Sequence, residues 1–332
     1  MKRYRFSAIK NTVKKFEGKR VLVIGDLLLD QFLWGDVSRI SPEAPVPVVW
    51  VKRDEFMPGG ACNVANNLAD LGARVSVVGI IGGDEKGGIL KSLLEERGVC
   101  TQGIILDENR PTILKTRVIA HHQQVVRIDR EDISHVTGKQ LAWIKKYVSE
   151  NIEDFDAVII EDYGKGVITP SLLKIVVPLA RRHKKIVAID PKENHFSYYK
   201  GATVLTPNHH EAAKAVGFKL DDEAAFEKAG AKLIKKLSAE VILLTLGEKG
   251  MMVCRRGKKP CRIPTLAQEV FDVSGAGDTV ISTYVLSVIS GASAVLAAHI
   301  SNCAAGIVVG KVGVAVISTI ELLDKLKKET SA

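Results

Sequence analysis

Short runs of β-branched residues alternate along this chain with longer stretches of helical periodicity. Arg20 to Ile24, Val75 to Ile81, Ala157 to Ile160, Ile186 to Ile189, Thr203 to Leu205 and Val241 to Leu244 are rich in Val and Ile and bounded by Gly, Asp or Pro. Such runs predict buried strands. Between them, Asn63 to Leu71, Glu85 to Arg97, Thr137 to Glu150, Pro170 to His183, Glu211 to Val216 and Glu223 to Leu237 carry the helical repeat. Strands alternating with helices predict an α/β fold: a doubly wound, mainly parallel sheet with helices on both faces. Ligands of such sheets sit beyond the carboxyl ends of the strands.

Two stretches break the rhythm. Phe32 to Phe56 holds Pro42, Pro45 and Pro47 around a β-like run, and Thr112 to Asp129 has strand-like runs without a helix between them. Both read as antiparallel strands off the main sheet, forming a small lid of about 32–56 and 110–130 whose prolines confine its strands to edges. The expected organisation is an N-terminal arm over 1–19 and a single domain over 20–330.

Charge changes this picture only at the N-terminus. Of a net +9, residues 1–20 supply +7, with eight Lys or Arg against Glu17, leaving +2 for the other 312 residues. Phe6, Ile9, Val13 and Phe16 recur at helical spacing, so the arm reads as a short amphipathic helix docked by its apolar face. Neither a nucleic-acid nor a membrane partner is expected. The chain shows no run of ~18 or more apolar residues and no signal-peptide core near Met1, so a cytoplasmic protein is expected. Five scattered cysteines without a CxxC pair indicate neither a disulfide framework nor a zinc site.

Candidate chemistry gathers at the strand ends. Asp272-Val-Ser-Gly-Ala-Gly-Asp278 sets glycines at the start of an apolar helix with a carboxylate next to them. Backbone N–H groups at a helix N-terminus hold an anion, and an adjacent acid takes a proton from an attacking hydroxyl. A glycine-rich turn with a capping aspartate explains the same residues. Asp30 follows the first strand, and Pro58-Gly-Gly-Ala-Cys-Asn63 opens a helix; a turn aspartate and a helix cap are the alternatives. Glu161-Asp-Tyr-Gly-Lys-Gly166, Asp190-Pro-Lys192, Thr206-Pro-Asn208-His-His-Glu211 and Thr245-Leu-Gly-Glu-Lys-Gly250 each end a predicted strand. Asn208 and Glu211 suit Mg²⁺ through water, or simple capping; His209 and His210 have no third ligand spaced to join them. No GxxxxGK[ST] occurs, nor a GxGxxG after the first strand, and no Ser-His pair supports a hydrolase triad.

The Gly59-Gly60…Asn63 and Asp272 to Asp278 segments resemble the two signatures of the ribokinase-like (PfkB) carbohydrate kinases, over about Val21 to Ile317. The resemblance implies Asp278 as catalytic base and the amides of Gly275, Ala276 and Gly277 as an anion hole. It implies Asn208 and Glu211 for Mg²⁺ and phosphate, an ATP site lined by Thr245, Gly247 and Gly250 with Asn302 near the adenine, and a monovalent cation such as K⁺ at Asp272 and Ser274. A narrower likeness, carried by Trp34 to Val48, Gln123 to Asp129, Glu161 to Gly166 and Asp190 to Lys192, is to the kinases of D-glycero-D-manno-heptose 7-phosphate. Those enzymes phosphorylate the anomeric hydroxyl on the way to ADP-heptose for lipopolysaccharide. Some carry a further nucleotidyltransferase domain, and this chain resembles the stand-alone form or an excised domain. Substrate contacts are then expected from Asp30, Arg39, Gly59, Gly60, Asn63, Arg117, Arg127, Asp162, Lys165 and Lys192, whose cations suit a sugar phosphate. The chain departs from the commoner pattern at Glu161, where serine is more usual, and at Thr245-Leu-Gly. A homodimer is expected through exposed lid edges. The alternatives are another PfkB kinase, of the ribokinase, fructokinase or phosphofructokinase type, and a non-catalytic sugar or nucleotide binder on the same fold.

Overall fold

The computed structural model describes residues 4–121, 123–266, 270–311, 313 and 315–331. Helix α1 (Phe6–Val13) precedes β1 (Arg20–Gly25), after which the chain leaves the main sheet through β2 (Leu27–Ile40) and β3 (Pro47–Gly60). It returns by α2 (Ala61–Asp70), β4 (Arg74–Gly82), α3 (Glu85–Glu95) and β5 (Cys100–Asp107), then leaves again through β6 (Ile113–Ala120) and β7 (Gln123–Arg130). Next come α4 (Gly138–Asn151), β8 (Ala157–Glu161), α5 (Pro170–Arg182), β9 (Ile186–Asp190), β10 (Val204–Leu205), α6 (His209–Val216) and α7 (Glu223–Leu237). The chain closes with β11 (Val241–Thr245), β12 (Met251–Arg255), β13 (Cys261–Ile263), α8 (Ala276–Ile289), α9 (Ala294–Val308) and α10 (Thr319–Ser331).

Among the described residues, nine strands form the main sheet in the order β13-β12-β11-β10-β9-β8-β1-β4-β5. From β11 to β5 every neighbouring pair is parallel, while β12 and β13 add an antiparallel edge. Alternate residues of β1 enter two separate cores. Val21 and Val23 pack with α2, α8 and α9, whereas Leu22 and Ile24 pack with α4, α5 and α7. Burial on both faces explains why these strands read as unbroken apolar runs. The chain order diverges at β1, which pairs with β4 on one side and β8 on the other. That divergence opens a crevice at the carboxyl ends of β1 and β8.

The second sheet has four strands in the order β3-β2-β6-β7. Its outer pairs are antiparallel, but β2 and β6 are parallel, which corrects the wholly antiparallel lid expected from sequence. The cause lies in the main sheet. Both excursions leave from carboxyl ends of parallel strands, so their first strands run the same way. The strands also reach nearer the core than the pattern indicated, from Leu27 and up to Gly60. Pro47 opens β3 on the sheet edge, where a missing N–H costs no ladder bond. Strands β5, β12 and β13 had no counterpart in the sequence pattern.

Ile9, Val13 and Phe16 of the arm are fully buried in the core that contains α8 and α9, and α1 packs on α10. Among the described residues, no helix is long and apolar enough to cross a membrane.

Candidate active site

Helix α8 starts beneath the lid. Gly275 is its N-cap at φ 76°, a left-handed backbone that favours glycine, and Asp278 lies in its first turn. The Asp278 carboxylate is buried: Asn63 Nδ2 donates to its Oδ2 at 2.5 Å, and the Tyr163 hydroxyl lies 3.4 Å from Oδ1. Burial pushes Asp278 up to about 7, against the lowering effect of the Asn63 bond. A carboxylate at that value is poised to accept a proton near neutral pH. Asn63 is itself braced, because Asn67 donates to its carbonyl at 2.9 Å while Thr279 bonds Asn67 at 2.8 Å.

Asp26, just past β1, organises the loop after β8. Its Oδ2 accepts from the backbone N–H of Tyr163 and Lys165, both at 2.9 Å, and its Oδ1 from Val167 at 3.0 Å. Three amides on one buried acid fix where Lys165 leaves the loop. Asp162 points away from the crevice. It accepts from Gly164 N at 2.8 Å and Tyr199 Oη at 2.7 Å and contacts His195 Nδ1 at 2.9 Å, while Tyr199 Oη accepts from Lys192 N at 2.8 Å. Asp162 thereby ties the loop after β8 to the loop after β9.

A cavity of about 480 Å³ lies between these loops, α8 and the lid, within the usual range for small ligands. Asp30, Gly59, Gly60, Lys115, Arg117, Arg127, Asp129, Tyr163, Gly164, Lys165, Lys192, Ser274, Gly275 and Asp278 all line it. Burial raises Asp30 and the adjacent Arg117 guanidinium, its ion-pair partner, lowers it. Lys165 pairs with Glu131 at 2.6 Å, Arg127 with Asp129 at 2.9 Å, and Lys115 reaches Asp129 at 3.3 Å. Lys192 forms no ion pair among the described residues.

Three carboxylates meet at the crevice floor. Glu161, Asp190 and Asp278 each offer an oxygen within 4.8 Å of the others. Glu161 and Asp190 are register partners on β8 and β9, and Thr206 donates to Asp190 Oδ1 at 2.6 Å. Burial raises Asp190 to about 7 and Glu161 well above the usual range, Asp190 and Asp278 adding to the latter.

Further along the sheet edge, Asn208 caps α6. Its Oδ1 accepts from His210 N and Glu211 N, both at 3.0 Å, and Glu211 Oε2 accepts from Asn208 N at 2.9 Å, a complete capping box. Burial raises Glu211 to about 7. Thr245 bridges Asn208 from β11, and Gly247 and Gly250 adopt positive φ in the following turn. Asn302 Nδ2 donates to Pro264 O at 2.7 Å. Asp272 accepts from Ser274 N at 2.9 Å and Gly313 N at 3.2 Å, which pins the glycine loop.

The fold thus brings Asp278, Gly275, Asp30, Gly59, Gly60, Arg117, Arg127, Lys165 and Lys192 to one cavity. Asn63 meets Asp278 and Asp162 braces two loops, but neither lines that cavity. Arg39 stands apart: exposed, and nine residues beyond Asp30 on an extended strand, it lies roughly 30 Å away. Sequence reasoning missed Tyr163, Lys115, Asp129, Glu131 and the Glu161–Asp190 contact. Only the last left a signal, since both acids end predicted strands.

The sequence pattern of the pfkB family carbohydrate kinases matches residues 19–320. The chain belongs to that family of carbohydrate kinases, phosphotransferases whose acceptor is an alcohol group. Among its curated relatives is bifunctional protein HldE of Desulfatibacillum aliphaticivorans, 48% identical over 320 residues. The match covers 96% of this chain and 65% of that protein, so the chain spans just under two thirds of the relative's length. Among solved structures, Arabidopsis thaliana ribokinase complexed with ribose and ATP superposes with a TM-score of 0.74 at 20% identity, covering 93% of this chain and 99% of that one. Phosphofructokinase-2 from Escherichia coli in complex with potassium superposes with a TM-score of 0.77 at 16% identity, covering 95% and 100%. Both establish the ribokinase-like fold.

Proposed function

We propose that the chain phosphorylates O1 of D-glycero-D-manno-heptose 7-phosphate with ATP, giving the 1,7-bisphosphate on the way to ADP-heptose. The observation that carries this reading is one cavity in which Asp278 faces five cationic side chains, Lys115, Arg117, Arg127, Lys165 and Lys192. A sugar with a phosphate at its far end needs such a wall opposite the base. The HldE relative and the lid likeness at Trp34 to Val48 support the same substrate.

In this reading Asp278 takes the proton of the O1 hydroxyl as it attacks. The amides at the start of α8, from Gly275, Ala276 and Gly277, hold the charge that develops on the transferring phosphoryl. Asn63 holds Asp278 Oδ2, and Oδ1, on which the Tyr163 hydroxyl sits at a long 3.4 Å, keeps a second lone pair to meet the sugar hydroxyl. Asp30, held by Arg117, accepts from sugar hydroxyls beside Gly59 and Gly60, and Lys192 meets the 7-phosphate. Strands β2 and β6 roof the cavity and exclude water, which protects ATP from hydrolysis.

ATP would lie along Thr245, Gly247, Gly250 and Asn302. Mg²⁺ supplies charge neutralisation to the nucleotide, and Asn208 and Glu211 would reach it only through water, since capping engages Asn208 Oδ1 and Glu211 Oε2. A K⁺ at Asp272 and Ser274 would extend a loop that two backbone amides already order. A cytoplasmic homodimer joined through the lid completes the reading.

The test is a panel of sugars with ATP, followed by coupled detection of ADP. Turnover is expected with heptose 7-phosphate. Activity on ribose or fructose 6-phosphate without activity on heptose 7-phosphate would reject the substrate, and no ADP from any sugar would favour a non-catalytic binder.

A further inference from the structure

Of the five cationic side chains that face the cavity, four already have a carboxylate partner: Arg117 pairs with Asp30, Arg127 and Lys115 with Asp129, and Lys165 with Glu131. Lys192 has none among the described residues, so its placement rests on its backbone and its stem. Its N–H donates to Tyr199 Oη at 2.8 Å, and its carbonyl accepts from His195 N at 2.9 Å. The stem crosses Gly164, where an added Cβ would lie 3.3 Å from Lys192 Cγ. Tyr199 is fully buried, in the core that contains Ile160 and Ile189 and edge-on to Phe196. A buried hydroxyl needs partners, and those of Tyr199 lie on two different loops. It accepts from Lys192 and donates to Asp162 Oδ2 at 2.7 Å, while Asp162 Oδ1 accepts from Gly164 N at 2.8 Å. Burial and the Asp162 charge raise the Tyr199 hydroxyl above its ordinary range, so it stays protonated and its donor and acceptor roles are fixed.

We propose that Tyr199 is a positioning residue for the acceptor sugar: through Asp162 it locks the loop after β9 to the loop after β8, and so sets Lys192 and Lys165 at the spacing that one phosphate group requires. Both lysines line the same cavity. Asp26 already fixes the backbone of Lys165, whereas Lys192 N is held by the Tyr199 hydroxyl. A lysine stem loses rotamer freedom when its ammonium meets a phosphate, and a stem laid on Gly164 from a fixed backbone has lost part of it beforehand. His195 Nδ1 also contacts Asp162 Oδ2, at 2.9 Å, so removal of the Tyr199 hydroxyl leaves Asp162 with two partners and frees Lys192 N above all. The role in binding rests on the sugar-phosphate reading, whereas the coupling of the two loops does not. The competing explanation is that Tyr199 only stabilises the core.

The experiment compares wild type, Tyr199→Phe, Lys192→Ala and the double variant as full chains, by amide hydrogen exchange without substrate and by steady-state kinetics with ATP and heptose 7-phosphate. Tyr199→Phe keeps the ring and removes only the hydroxyl. Exchange should quicken in residues 162–166 and 190–195 and nowhere else. KM for the sugar phosphate should rise about tenfold, while kcat and the KM for ATP stay within about twofold. In the Lys192→Ala background the same substitution should leave the sugar KM where Lys192→Ala put it, because the group that Tyr199 positions is gone. Additive losses in the two backgrounds, or a fall in kcat with the sugar KM unmoved, would assign Tyr199 a structural role and overturn the proposal. Unchanged exchange at Lys192 would overturn it equally. Circular dichroism checks that the variants fold, and Asp162→Asn, which turns one acceptor into a donor, takes the place of Tyr199→Phe if that chain does not. If the substrate is a different phosphorylated sugar, the same cycle on that sugar decides. Turnover of unphosphorylated sugars alone would overturn the binding role. Exchange is read without sugar, so failure of the heptose assignment and failure of the coupling are separate results.

Discussion

Asp278 combines a pKa raised to about 7 by burial with one oxygen fixed by Asn63, and both properties have measurable consequences. Asp278→Asn should retain both substrates yet lose about 10²-fold or more in kcat, the usual worth of a general base. Near-normal turnover in a folded variant would remove Asp278 from that role. The base acts as the carboxylate, so in wild type kcat should climb as pH rises through about 7 and then level off. Stability should run the other way. Asp190 and Asp278 hold protons in the folded state that the unfolded chain releases near pH 4, so their contribution is present in acid and lost as pH rises toward 7. In chelator, the melting temperature should therefore fall between pH 5 and pH 8, by an amount on the order of a few kcal/mol in stability. Asp190→Asn should flatten that fall, and an identical slope in the variant would show that this acid is not its source. The sequence exposed Asp278 because its glycines adjoin it. It hid the Asn63–Asp278 bond, 215 residues apart, since only the packing of α2 on α8 joins them.

Strand ends were the legible elements. A parallel strand buried on both faces must be apolar throughout, so the polar residue that ends it marks the ligand edge, as Gly25-Asp26, Glu161 and Asp190 do. The lid was less legible. Its strands have one exposed face, and their pairing follows from where both excursions leave the main sheet, which no local pattern encodes. Gly59 joins these two kinds of element, near the end of β3 and opposite Leu28 of β2. A Cβ there would collide with Leu28 Cδ1 and Asp30 Oδ2, so Gly59→Ala should displace the Asp30 carboxylate from Arg117. Overpacking of this kind costs about 1–3 kcal/mol. Expressed at the sugar site, that is roughly a tenfold to hundredfold rise in sugar KM, with the KM for ATP little changed. Equal rises in both constants would mean that the damage is global.

At the scale of the whole molecule, the lid leaves apolar surface that no helix among the described residues covers. All eight residues of β7 are exposed, Ile128 at 55% and Val126 at 47%. They alternate with Arg127 and Asp129, which line the cavity, so Val126 and Ile128 lie on the face turned away from it. Val126 pairs with the buried Val118 of β6, so the exposed apolar residues belong to β7, which ends the sheet. An open edge beside exposed Val and Ile is a template for association, and a closed two-fold pair is the simplest way to satisfy it. Sedimentation of wild type at micromolar concentration should give twice the mass of the chain. Ile128→Lys places a charge in the contact without touching the cavity wall, and it should raise the dimer dissociation constant at least tenfold, about 1.4 kcal/mol. Two readings separate a lid interface from a general defect. Melting of the α/β core should stay within about a degree or two, because exposed substitutions away from packed features cost little. Sugar KM should rise with dilution of the variant, because a lid without its partner no longer holds Lys115, Arg117 and Arg127 over the crevice. A wild-type chain that sediments as a monomer, or an Ile128→Lys chain that stays dimeric, would place the contact elsewhere or remove it.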